Sequence, residues 1–509
     1  MTTTTEPAAA PAFTGYSTKS YRAYVLGALL LVYTFNFIDR VVIGILQEPI
    51  KTELGLSDFQ LGLLGGPAFA LLYTLLGIPI ARLAERANRV VILVLGVALW
   101  SAMTAACGFA RELLIGASPV GAEAPGLAAL FGAVTSERVV QDTVYYYMPA
   151  FMVLLAARVG VGIGEAACTP PAQSVISDYF PSDRRATALS IYALGIPIGS
   201  MIAAVGGGWI ATEIGWRQAF VMLGLPGLLL ALIVFLTVKE PPRAASKDGA
   251  PSFFAAFGAL AKKTTFWHVA FGSALASFVG YGVGQYLTSF MIRTHHLTLF
   301  EASMLIGVVL GLCAAIGTFL SGFLSDRIAR RHPNALAWLP ALGFAIATPL
   351  YLLAFFMPNM WSGGTFNIAT PVFTGPVTIA SLWLAAPPLM IAAICHYFYL
   401  GPMYAVTQGV VAPRMRATAV AVLLFIVNLI GYGMGPPAIG ALSDFLAGGL
   451  LAQSGLSLEA CAGRTGDAVC AAGQATGLEW AMMIGVLGYL WAGLHFLLAA
   501  RTMRRDWVA

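Results

Sequence analysis

A chain of 509 residues that is 59% hydrophobic and 10% charged cannot wrap itself in polar surface, because soluble domains carry roughly 25% charged residues. Its mean hydropathy of +0.81 leaves a lipid bilayer as the solvent that suits it. The formal net charge of +5 would fit an acidic partner, but the placement of the basic residues gives it another meaning.

Residues 1–20 are rich in Thr, Ala and Pro, have no apolar core, and read as a disordered tail. The first hydrophobic segment is too long for a signal-peptide core and is expected to stay as a spanning helix. A span needs about 20 mostly apolar residues. Twelve stretches qualify, near 23–46, 60–81, 90–110, 148–176, 186–211, 217–238, 266–292, 302–323, 335–357, 378–406, 417–441 and 479–500. The stretch 334–413 has no Asp, Glu, Lys or Arg. It is too long for one helix, and the segment from Pro358-Asn359 to Gly375-Pro376 supplies the turn that divides it. The linker 239–265 separates residues 21–238 from residues 266–500, six spans from six, and residues 501–509 form a second tail. Two longer loops face the side opposite the tails. Residues 111–147 are expected to hold a short amphipathic stretch ending in Tyr145-Tyr146-Tyr147, which suits a lipid interface. Residues 444–478 carry Cys461 and Cys470, which could pair if that loop meets an oxidising compartment. Cys107, Cys168, Cys313 and Cys395 lie in apolar segments and read as packing residues.

Lys and Arg set the orientation. With the N-terminus in the cytoplasm, that side collects 20 of the 28 basic residues, and the opposite side holds six: Lys51, Arg111, Arg138, Arg217, Arg293 and Arg464. Arg40 and Arg158 fall inside spans. Both termini are therefore expected to be cytoplasmic. The bias accounts for the net charge, so no nucleic-acid partner is needed.

A short signature occurs twice. Leu83-Ala-Glu85-Arg86-Ala-Asn88-Arg89 recurs as Leu324-Ser-Asp326-Arg327-Ile-Ala-Arg330, with Asp326 lying 241 positions after Glu85. Arg185-Ala-Thr-Ala188 recurs as Arg416-Ala-Thr-Ala419. Two related halves with charged loops at matching places have the layout of an alternating-access transporter.

These residues resemble the major facilitator superfamily, whose loop motif reads Gly-x-Leu-x-Asp-Arg-x-Gly-Arg-Arg. The second copy, Gly322 to Arg331, departs from it by Ala329 for the inner glycine; the first has Ala81, Glu85 and Asn88 at motif positions. Three further motifs resemble the Spinster family of lipid transporters: Asn36-Phe-Ile-Asp39-Arg40, the run from Arg158 through Gly162, Gly164 and Glu165 to Ala166, and Ile196-Pro197-Ile-Gly199-Ser200. The resemblance implies an all-α membrane protein, twelve transmembrane helices in two pseudo-repeated six-helix bundles. It also implies a monomer in a bacterial inner (plasma) membrane.

Four ionisable acids and bases fall well inside the predicted spans: Asp39, Arg40, Arg158 and Glu165. On insertion scales each Arg or Asp costs roughly 2.5–3.5 kcal/mol unless it faces a cavity or a partner. Arg158 and Glu165, seven apart, share a helix face, whereas neighbours Asp39 and Arg40 point about 100° apart and cannot pair well. Pairing must then cross between the first and fourth spans, and Arg40 with Glu165 is the expected pair. One reading makes the cluster a static clamp. The other gives it work, since buried pairs stabilise poorly compared with apolar packing and a carboxylate whose surroundings alternate can take up and release a proton. The resemblance implies proton coupling by Asp39 or Glu165, and contact of Arg40 or Arg158 with an anionic headgroup or the carboxylate.

The C-terminal half offers polar groups rather than charges. Tyr281, Gln285, Thr288 and Ser289 recur at helical spacing on one face; Tyr286 lies beside them, and His396, Tyr397, Tyr399, Tyr404, Gln408 and Asn428 follow. Each could as well be an inter-helix hydrogen bond, and His396 is the one group that titrates near neutral pH unaided. The expected substrate contacts are Asn36, Arg40, Arg158, Thr169, Tyr281, Gln285, Tyr286, His396, Tyr397 and Asn428. Glu85, Arg86, Arg89, Asp326, Arg327 and Arg330 are the expected cytoplasmic gate, bridging carboxylates or meeting helix N-termini; the positive-inside rule alone is the competing account.

No nucleotide loop, metal-ligand spacing or flanked nucleophile is present in the sequence, so neither an enzyme nor a cofactor is expected. The expected activity is secondary transport of an amphipathic, lipid-like molecule of lysophospholipid or sphingoid-phosphate type, coupled to protons, with membrane lipids around it. A proton-coupled carrier of small organic anions or drugs is the nearest rival, and a ligand-binding membrane receptor or scaffold is a rival of another class.

Overall fold

A computed structural model describes residues 16–130, 134–242, 253–332, 334–360, 366–367, 376–377, 379–412, 415–461, 464 and 466–508. Among the described residues, twelve helices are long and apolar enough to cross a membrane. They are α1 (Lys19–Leu54), α2 (Asp58–Ala84), α3 (Arg89–Cys107), α4 (Ala150–Tyr179), α5 (Thr187–Glu213), α6 (Trp216–Thr237), α7 (Thr264–His295), α8 (Leu299–Ala329), α9 (Ala335–Met357), α10 (Leu384–Gly409), α11 (Thr418–Ala452) and α12 (Ala468–Asp506). An even number of spans puts both chain ends on one face, called here the terminal face. The opposite, insertion face carries residues 108–149 and the turn between α11 and α12.

Every span of the sequence reading is present, but several run further. Helix α1 ends beyond Pro49, where Gly55 adopts a left-handed backbone (φ +65°) and closes it. Helix α2 then opens on a capping box of Ser57 and Gln60. The expected loop 444–478 is mostly helix: α11 continues to Ala452, and α12 starts at Ala468, capped by Asp467. The turn that remains is closed by a Cys461–Cys470 disulfide with Cα atoms 5.5 Å apart. Cys107, Cys168, Cys313 and Cys395 are free and buried, as packing residues are.

The 111–147 insertion departs from an all-helical chain. It folds into an antiparallel sheet of order β1-β3-β2, from Leu113–Pro119, Ser136–Val140 and Thr143–Met148. The Tyr145–Tyr147 run is its central strand. Alternation turns Val144 and Tyr146 onto a small core with Ala128, and leaves Tyr147 under the guanidinium of Arg138. A two-stranded pair, β4 (Phe366–Asn367) and β5 (Pro376–Val377), lies between α9 and α10.

Two apolar cores divide the interior. The larger joins both halves, from Ile38, Val42 and Leu46 of α1 to Val283, Leu287 and Phe290 of α7. The smaller lies mostly in the N-terminal bundle, around Leu29, Val97, Trp100, Val175 and Tyr192, and takes in Tyr432 from α11. The halves are thus packed together toward the insertion face. Helices at their boundary are irregular in matching places: α2 breaks at Gly65–Gly66, and α5, α8 and α11 each contain a π-helical turn, at Ala203–Gly207, Val308–Cys313 and Val427–Tyr432. Such turns recur at functional sites.

Candidate functional site

The site grows from α1 and a broken α4. Its first segment ends at Glu165, and a second begins at Thr169, followed by Pro170 and Pro171. Prolines lack the N–H that would continue the ladder, so the break falls next to the glutamate and turns it inward. Glycines bring the segment close to its neighbours. A Cβ on Gly164 would lie 2.6 Å from the Trp100 backbone nitrogen of α3, and one on Gly162 would lie 2.5 Å from the Phe69 carbonyl of α2.

Arg40 Nε donates to Glu165 Oε2 at 2.6 Å, so α1 and α4 meet through the expected pair. Glu165 is fully buried and the Arg40 side chain is 14% exposed. The guanidinium also faces the rings of Phe37, Phe69 and Tyr73, at 5.2, 5.1 and 4.6 Å. Arg158 behaves differently. Its donors reach the backbone carbonyls of Asp39 (3.1 Å) and Leu64 (3.4 Å) and hold α1, α2 and α4 together from behind. The Asp39 carboxylate is therefore not clamped by Arg158. Its Oδ1 has no protein partner, and neither do Glu165 Oε1, the Asn36 amide atoms and Thr104 Oγ1, all buried. Such a group of unsatisfied atoms is rare in an interior and calls for an explanation.

Other expected contacts separate into two places. Tyr281 is 41% exposed and its ring lies 4.4 Å from that of Tyr432, which meets Phe69 edge-on. His396 is buried; Tyr351 hydrogen-bonds its Nδ1 at 2.8 Å, and Tyr397 stacks on it at 4.1 Å. Thr169 and Asn428 are half-buried, one just past the α4 break and the other in the α11 π turn. Gln285 and Tyr286, by contrast, point away from Arg40. Gln285 donates to Gln47, and the Tyr286 hydroxyl donates to the Asp58 carbonyl, at the seam between the halves.

That seam holds a second charge cluster, which the sequence reading did not find. Asp58 opens α2, and its carboxylate accepts from Lys51 (2.7 Å), both terminal nitrogens of Arg293 (2.9 Å each) and Ser443 (2.7 Å). Arg293 also holds Glu48, and Asp444 accepts from the backbone N–H groups of Asp58 and Phe59. Gln47 donates to Ser289 beside it. Each of these residues lies near the end of a span, where a charge reads as a loop residue; helices α1, α7 and α11 run on past that point because the charges satisfy one another. Glycines close the seam: a Cβ on Gly62 would meet the Pro436 carbonyl at 2.6 Å, and one on Gly66 the Gly433 carbonyl at 2.7 Å.

At the terminal face, Arg89 is buried and bonds Asp178, Ser174, Glu240 and the Pro241 carbonyl. All belong to the N-terminal half or the linker, so Arg89 clasps one half and does not bridge two. Arg86, Asp326, Arg327 and Arg330 are exposed, and the side chain of Glu85 lies outside the described residues. Between α2 and α11 an apolar groove of about 520 Å³ opens on this side. Leu75, Ile78, Trp267, Phe271 and Phe425 form its walls, with Arg82 as its charge.

The family model described as Major Facilitator Superfamily matches residues 29–436. The chain belongs to the major facilitator superfamily. Within that superfamily it is 31% identical to an MFS-type efflux pump of Mycolicibacterium smegmatis over 433 residues, 84% of this chain and 86% of that one. It is 25% identical to protein spinster homolog 3 of Danio rerio over 450 residues, 85% and 79% of the two chains. Among solved structures it is similar to a bacterial homolog of the human lysosomal transporter Spinster, in an inward-facing and unoccupied conformation. There the identity is 39%, the TM-score 0.78 and the coverage 97% of this chain and all of the other. The same homolog in an occupied inward-facing conformation gives 38% and 0.77. This chain is thus a multi-pass membrane transporter of the major facilitator superfamily, resembling Spinster.

Proposed function

We propose that this transporter carries an amphipathic, lipid-like anion or zwitterion by alternating access, driven by protons, with both termini in the cytoplasm. The observation that carries the reading is the Arg40–Glu165 pair set against the buried Asp39, whose Oδ1 has no hydrogen-bond partner and which no cation among the described residues bridges directly. A headgroup bearing a phosphate would compete with Glu165 for Arg40, and the released carboxylate would then take a proton, since a bare charge in that interior is costly. Proton and substrate binding are thereby coupled through one guanidinium. The aromatic surround of Arg40 and the apolar groove between α2 and α11 support an amphiphile, whose chain needs a lateral path that a small polar metabolite does not.

In this arrangement the Asp58 cluster is the closed gate of the insertion face, and the terminal face is the open side, as in the inward-facing structures of the bacterial homolog. Arg86, Arg89, Asp326, Arg327 and Arg330 would act when that side closes. Transport of small organic anions or drugs outward is the second reading, favoured by the likeness to the mycobacterial efflux pump.

The test is uptake of labelled lysophospholipid into proteoliposomes with and without an imposed pH gradient. Wild type should show gradient-stimulated flux, and both Glu165→Gln and Arg40→Ala should lose the stimulation. Folded wild-type protein that moves no lysolipid but moves an organic anion would replace the first reading by the second.

A further inference from the structure

A second cavity lies on the terminal face, on the outer flank of the C-terminal half and away from the transport site. It encloses about 430 Å³ and is lined by Arg331, His332, Asn334, Trp338 and Arg504. Arg331 and Arg504 are exposed, and neither guanidinium has an ion-pair or hydrogen-bond partner among the described residues. The local charge is strongly positive. Residues 326–331 and 501–506 together hold six arginines against Asp326 and Asp506, and Asp506 is already engaged by Thr265 and Arg505. The first turn of α9 starts here, with the N–H groups of Ala337 and Trp338 bonded to the Asn334 carbonyl, so the positive end of a long helix dipole points at the same space.

What lies beneath the cavity decides between a soluble anion and a lipid. On α9, Trp338, Leu342 and Ile346 follow at four-residue steps, and the latter two are exposed. On α12, Arg504, Arg501, Leu497 and Leu494 follow at steps of three and four, and all are exposed. Those steps keep each set on one helix face. Two apolar stripes therefore lead from a basic hollow along membrane-spanning helices. An anion with acyl chains fits both parts, and an anion without them fits only the hollow.

We propose that this hollow binds the phosphodiester headgroup of an anionic phospholipid of the surrounding leaflet, as a resident lipid and not as cargo. Arg331 and Arg504 hold the phosphate, Asn334 can add an amide donor, and Trp338 sits at the border of headgroup and chain, where its indole is at home. Bound there, the lipid staples the α8–α9 turn to the end of α12.

The experiment is thermal unfolding of the detergent-solubilised full chain, titrated with short-chain phosphatidylglycerol, short-chain phosphatidylcholine or inorganic phosphate. An Arg40→Ala background removes the headgroup contact of the transport site, so any shift there is independent of the cargo. Phosphatidylglycerol should raise the midpoint and phosphatidylcholine should not. The Arg331→Gln/Arg504→Gln double variant should need about thirtyfold more phosphatidylglycerol for the same shift, while its midpoint without lipid, and that of Arg504→Lys, report an intact fold. An undiminished response in the double variant would overturn the proposal. Equal shifts from inorganic phosphate would overturn the lipid source and leave a free-anion site.

Discussion

Arg40 makes three demands that one side chain type can meet: an ion pair with Glu165, contact with three aromatic faces, and a remaining Nη2 with no protein partner. A planar guanidinium can stack and donate at once, whereas a lysine ammonium is a point charge on a flexible stem. Arg40→Lys should therefore lower proteoliposome flux at least about tenfold, the loss of roughly one good charged hydrogen bond. Its unfolding midpoint should stay near that of wild type. A variant with full flux would show that charge alone suffices. The pair itself was legible in the sequence, because adjacent Asp39 and Arg40 cannot pair and the partners for both lie seven apart on one other span. The rings of Phe69 and Tyr73 were not, since nothing in a run of apolar residues tells which of them a break at Gly65–Gly66 will aim at an arginine. Nor was the diversion of Arg158 onto carbonyl groups, which depends on backbone geometry alone.

Among the elements, the ends of the helices decide most. Asp58 sits at the N-terminus of α2, where the dipole favours a carboxylate, and it gathers Lys51, Arg293 and Ser443 from three other helices. Asp58→Asn keeps the shape and removes the charge that Lys51 and Arg293 share. Spin labels at Thr52 and Gln453, exposed on opposite halves, should then show longer distances in pulsed electron resonance; an unchanged distribution would mean that apolar packing alone holds the face shut. The disulfide acts on another end. Cys461–Cys470 closes a loop of sequence separation 9, so Cys461→Ser should cost about 2–3 kcal/mol by loop entropy, read as a lower melting temperature. Reduction of wild type should reproduce that loss. Hydropathy located all twelve spans but not their ends, because a run of charges looks like a loop whether or not a partner awaits it. The sheet within residues 113–148 was missed for a similar reason: Tyr145–Tyr147 is as apt for a bilayer border as for a strand, and its partner Leu114 lies 33 positions before Tyr147.

For the whole molecule, the doubled signature announced two related halves, and the structure joins them at one end. The larger core passes through that joint, while the smaller one lies mostly in the N-terminal bundle and takes in Tyr432 alone from the other half. Polarity of closure could not be read from the sequence, since both faces carry arginines and carboxylates, and only their meeting partners tell the shut side from the open one. The seam where Gly62 and Gly66 press against the backbone at Pro436 and Gly433 has an electrical meaning as well. Where backbone meets backbone at these glycines, no space is left between α2 and α11 for a file of water. If this carrier draws on a membrane's proton gradient, as proposed, it must not discharge that gradient at rest, and a seam this tight would serve as its insulation between turnovers.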